Sequence, residues 1–81
     1  MPKVRRENLP RALFHHLAGR VREREISTDQ LELLFEWLEN EPEVPESRWF
    51  KRFPEIIVCG EGELIKTFLR STQTAIGEEV F

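Results

Sequence analysis

The stretch GEGELIKTFL, residues 60–69, sets two glycines around Glu61 and follows them with Lys66 and Thr67. These are residue types found in loops that hold a phosphate. Such a loop needs glycines leading onto a helix N-terminus, where free N–H groups and the helix dipole meet the anion. Here the glycines lie between two β-rich runs, and Glu61 would repel a phosphate. GEG therefore reads as the tight connection of a hairpin, for which glycine supplies positive φ. Lys66 keeps a chemical reading of its own: on an open sheet face beside Arg52 or Arg70 it would hold an anion. Strict alternation puts Leu64, Lys66 and Phe68 on one face and Glu63, Ile65, Thr67 and Leu69 on the other. Placing Glu63 at the turn leaves Ile65 and Leu69 in the core and Lys66 in solvent.

The remaining chemistry-bearing residues are few. His15 and His16 are the only two histidines, and neighbours on a helix point about 100° apart, so they do not chelate one metal. They read as solvated. Cys59 closes the run IIVC and reads as a small apolar residue, since a thiol nucleophile needs a base held against it. No catalytic residue, metal or cofactor is expected. A single cysteine excludes an intramolecular disulfide and fits a reducing compartment, so a cytoplasmic location is expected. No apolar run approaches the length of a membrane span, and none of signal-peptide length follows the basic start MPKVRR.

Eighty-one residues with 40% apolar and 33% charged side chains are expected to fold as one domain. The net charge of −3 argues against general nucleic-acid binding. That charge is sorted along the chain: residues 1–24 carry seven Lys/Arg and two Glu, residues 25–47 carry eight acids and no base, and the rest balances. Two oppositely charged helices packed as a hairpin account for this sorting. Residues 1–7 read as a flexible basic tail able to touch an anionic partner, ahead of a single domain over 8–81.

The elements that must position these residues follow from periodicity. A first helix is expected over 9–24, capped by Asn8, with Leu9, Leu13, Leu17 and Val21 on one stripe. A second is expected over 28–40, with Ser27 and Gln30 as a capping box and Asp29 in the first turn. Pro42 and Pro45 forbid its continuation. Its apolar residues Leu31, Leu33, Leu34, Phe35, Trp37 and Leu38 spread over roughly 200°, wider than one helix can cover. This helix must lie between its neighbour and a sheet, or face a second subunit. Strands are expected over 48–53, 55–59 and 63–69, with a further short one over 75–80. The fold class is α+β: two N-terminal helices on one face of a three- to four-stranded antiparallel β-meander.

Function is read in two ways. The first is a small non-enzymatic protein-interaction or regulatory module that binds a protein partner or itself. Trp37 and Leu33 on the edge of the second helix, and Val80 and Phe81 on the terminal strand, are its interaction candidates. The second starts from WFKRF and GELIKTFL in strands after two helices, an element order that resembles RelE-like and barnase-like toxins. That resemblance implies an RNA-binding or ribonuclease-type protein in which Arg52, Lys66 and Arg70 hold phosphate and Glu61 or Glu63 acts as base. The chain departs from those toxins in its acidity and in lacking a histidine or tyrosine near its C-terminal end.

Overall fold

The computed structural model describes residues 1–81. Two helices, α1 (Arg11–Arg22) and α2 (Thr28–Glu39), precede four strands: β1 (Arg48–Arg52), β2 (Ile56–Glu61), β3 (Leu64–Arg70) and β4 (Glu78–Val80). The α+β class and the order of helices before strands stand as expected. No helix is long and apolar enough to cross a membrane.

The start of α1 differs from the expected cap, and α2 keeps its expected N-cap residue without the capping-box bonds. Asn8 belongs to a single 3-10 turn (Arg6–Asn8), where its Oδ1 accepts the Arg5 N–H at 2.9 Å, and Pro10 takes the N-cap of α1. Pro10 suits that place because its fixed φ and missing N–H cost nothing there. At α2, Ser27 is the N-cap but makes no side-chain bond to the helix. Its backbone N–H and hydroxyl donate instead to the two Glu55 carboxylate oxygens, at 3.2 and 2.6 Å. The Gln30 side chain turns inward and accepts the Glu55 N–H at 3.0 Å. The cap of α2 is thus supplied by the β1–β2 corner rather than by neighbouring residues. Helix α1 ends on Arg24 in the left-handed region (φ 63°), with Glu25 N–H returning to the Arg20 carbonyl. This is a Schellman closure made without glycine.

The sheet order is β3-β2-β1-β4. β1, β2 and β3 form the expected antiparallel meander, but β4 pairs with β1 in parallel. The fourth strand is therefore not the next step of the meander. Residues 71–77 must cross from one edge of the sheet to the other, because β3 and β4 run in the same direction on opposite edges.

Gly60 and Gly62 have different jobs. Gly62, at φ +57°, opens the two-residue connection between Glu61 and Leu64, the conformation a tight hairpin requires. Gly60 lies within β2 opposite Trp49, whose indole occupies the space a Gly60 side chain would need. Glycine in a strand interior marks such a close approach. The Trp49 Nε1–H donates to the Gly62 carbonyl at 2.8 Å, tying the ring to the turn.

The core lies between the helices and one face of the sheet, where Leu17, Leu34, Leu38, Trp49, Ile56, Val58, Ile65 and Phe68 form one cluster. The wide apolar arc of α2 is absorbed there. Leu34 and Leu38 point into the cluster, Phe35 stacks on Phe14 of α1 at 5.9 Å, and Trp37 packs against Trp49 and Phe53 at 5.8 and 6.1 Å. Val4 and Val44 are also fully buried in it. Val4 N–H donates to the Pro42 carbonyl and Val44 N–H to the Pro2 carbonyl, at 3.0 and 2.9 Å. The segment expected as a free tail is thus docked along the loop after α2. The apolar character of Val4 outweighs the charges around it, because those charges find partners: Arg5 pairs with Glu41 at 2.7 Å and Arg6 with Glu39 at 3.8 Å. These ion pairs join the N-terminal segment to the end of α2. The two helices meet through Phe14 and Phe35 rather than through opposite charges.

Candidate functional site

Alternation along β3 is broken by a bulge between Cys59 and Gly60 of β2. Val58 faces Phe68, Cys59 faces Thr67 and Gly60 faces Ile65, so Lys66 is the extra residue. An inserted residue shifts the phase of a strand. Ile65 and Phe68, three apart, both point into the core, while Lys66 and Thr67 are both exposed. The expected core position of Leu69 goes to Phe68, and Leu69 is half-buried on the opposite face. Lys66 is in solvent and Glu63 in the turn, as expected; the bulge, which alternation does not anticipate, moves the second core position to Phe68.

The sheet face away from the helices carries Arg48, Phe50 and Arg52 of β1 beside Glu61, Cys59 and Ile57 of β2. It is not open. Ile57 is fully buried and Phe50 nearly so, although neither belongs to the helix-side core. The Arg52 guanidinium lies over the Phe50 ring at 5.3 Å, and the 71–77 crossover passes over the same face beside them. Thr74 and Ile76 line a cleft of about 530 Å³ together with Cys59, Lys66, Leu69 and Arg48. Gly77 (φ +119°) ends the crossover against the Arg48 backbone, where a Cβ would meet the Arg48 carbonyl oxygen at 2.5 Å. Only glycine fits both the dihedral and the space.

The three cations of the RNA reading are not brought together. Arg70 pairs in register with Ile56, on the helix side, and reaches Glu25 at 3.9 Å. There it lines a second cleft of about 430 Å³ with Arg20, Glu25, Glu55, Ser71 and Thr72, whose carboxylates are already engaged by Arg70 and Ser27. Arg52 lies over the Phe50 ring at 5.3 Å and pairs with Glu79 at 3.7 Å. Lys66 alone faces the crossover cleft, and its companion there is Arg48. Arg48 sits on β1 on the face it shares with Arg52, and only the crossover above that face makes a cleft of it. Glu61 faces the cleft opposite Arg48, and Glu63 lies in the exposed turn. Cys59, half-buried on the cleft floor, has its thiol pushed above the ordinary value of 9.0 by burial. Such a thiol is protonated and unreactive at neutral pH. His15 and His16 stand exposed on α1.

The interaction candidates divide. Trp37 is half-buried in the aromatic cluster, with its Nε1–H buried and without an acceptor. Leu33 is exposed among the acids of α2. Val80 packs partly against the core, and Phe81 beside it is 90% exposed. Val80 ends β4 at a sheet edge, and Phe81 follows the strand. At the opposite edge, β3 carries the bulge and Lys66 and is flanked by α1, devices that blunt an edge against further pairing.

Compared with models of protein families, with curated proteins and with solved structures, the chain finds no match.

Proposed function

We propose that this chain is a small non-enzymatic interaction module that takes an extended segment of a protein partner onto the outer edge of β4. The observation that carries the reading is Phe81, 90% exposed just past the end of β4, a strand paired on one side only. An edge strand offers unpaired N–H and C=O groups, and a neighbouring apolar side chain gives an added strand its anchor. Glu78 and Glu79 set the chemistry of the partner, since opposite charges across a strand pair stabilise and like charges destabilise. Two β4 edges set antiparallel would bring these carboxylates together. A partner strand carrying Lys or Arg between apolar residues fits better than a second copy. The scattered positions of Arg52, Lys66 and Arg70 favour this reading over an RNA-binding one. The single half-buried cysteine suits a reducing, cytoplasmic setting.

The test is calorimetric titration with an extended peptide of alternating Lys and Val, against wild type and Phe81→Ser. Saturable binding weakened about tenfold or more by the loss of the Phe81 ring is expected. Binding of a short single-stranded RNA in place of the peptide, or peptide binding indifferent to Phe81, contradicts it.

A further inference from the structure

We propose that the cleft beneath the 71–77 crossover binds a small amphipathic carboxylate, with its head between Arg48 and Lys66 and its hydrocarbon tail along Leu69 and Ile76. This site is separate from the β4 edge and does not depend on it.

Four observations lead there. First, the cleft is about 530 Å³, within the range of small-molecule sites. Second, the two cations of its lining, Arg48 and Lys66, have no carboxylate within 4.0 Å and so keep their donors free for a ligand. With Glu61 as the one acid of the lining, two cations leave a net charge of +1. Third, the bulge leaves Lys66 and Thr67 together on the outer face, between Ile65 and Phe68 that both point into the core, and bulges are common next to sites. Fourth, Ile76 is 72% exposed at the mouth, held there by a crossover whose end is pinned at Gly77. Leu69 lies half-buried within.

Chemistry selects the ligand class. Arg48 and Lys66 lie on strands two apart, about 10 Å by the usual strand spacing. Their long side chains rise from either side of β2 and can close on one carboxylate lying over it. A guanidinium offers a planar pair of donors to a carboxylate and an ammonium adds a point charge. The apolar groups beyond that head accept a short alkyl or aryl chain, and the protonated Cys59 thiol on the floor adds no competing charge.

The measurement is an amide NMR titration of the whole chain with octanoate and, separately, with octanol, which has the same tail length and no charge. Wild type, Lys66→Gln and Ile76→Ser are compared. The expected result is a saturable shift of the Cys59, Lys66, Thr67, Leu69 and Ile76 amides with octanoate. Octanol should bind about fivefold or more weakly, and Lys66→Gln should weaken octanoate by a similar factor while leaving octanol unchanged. Ile76→Ser should weaken both. Lys66 and Ile76 are exposed, so both variants are expected to keep the native spectrum elsewhere. Shifts that rise linearly without saturation, equal binding of octanol and octanoate, indifference to Lys66→Gln, or shifts confined to Val80 and Phe81 would each overturn the proposal.

Discussion

The Trp49 indole occupies the place where a Gly60 side chain would stand, and its Nε1–H donates to the Gly62 carbonyl at 2.8 Å. One ring thus joins β1, β2 and the hairpin turn, and it forms the floor on which Trp37 of α2 packs. The GEG stretch is a structural device for seating Trp49 rather than a phosphate loop.

A methyl group at Gly60 must push that ring away from its position. Gly60→Ala is expected to destabilise the chain by about 1–3 kcal/mol through overpacking. Urea unfolding followed by tryptophan emission measures the loss and also reports the displaced Trp49 environment. A loss below about 0.5 kcal/mol would show that the ring gives way freely.

Ser27 and Glu55 act as one unit across the helix–sheet boundary, with Glu55 receiving both donors of Ser27. Ser27→Ala and Glu55→Ala are each expected to cost about 1 kcal/mol. In the double variant the losses should not add, because either change removes the same bond. Full additivity in thermal or urea unfolding would mean that the two residues act independently.

Docking of the N-terminal segment rests on Val4, fully buried between the segment and the core. Val4→Ala is expected to cost about 2 kcal/mol, from lost burial and the void left behind. Proteolysis near Pro2 to Arg6 should speed up in parallel. An unchanged melting curve together with unchanged cleavage would place the segment in solvent.

Burial holds the Cys59 thiol protonated above the ordinary value of 9.0. The native chain therefore keeps a proton that the unfolded chain releases near 9.0, and stability is full below that pH and falls as pH rises through and beyond it. Alkylation by iodoacetamide at a pH just below 9.0 should be slower in the native chain than in the urea-unfolded one. Cys59→Ser should flatten the alkaline loss of stability. Equal alkylation rates would contradict this account.

Much of the architecture was legible because it is local. Both helices and the GEG hairpin follow from periodicity, proline and glycine, and the three meander strands fall within a few residues of expectation. The misreadings are non-local. The parallel partner of β4 depends on a crossover that no neighbouring residues specify. The capping role of Glu55 is exerted from a corner 28 residues beyond Ser27. The Lys66 face could not be read by parity because one inserted residue cancels parity. Val4 is a single apolar side chain within a charged run, too little for any pattern to register, and yet the core closes over it. The candidate cleft was legible only in Lys66. Arg48 reaches it from β1, and Ile76 enters it through the crossover alone.

The most direct test of the central claim is an amide-resolved NMR titration of the chain with the alternating Lys–Val peptide, with hydrogen exchange measured before and after. The account predicts saturable shifts at Glu78, Glu79, Val80 and Phe81, slowed exchange of the outward β4 amides, and little change along β3. Shifts at Arg52, Lys66 and Arg70 with RNA, or unchanged β4 amides at saturating peptide, would contradict it.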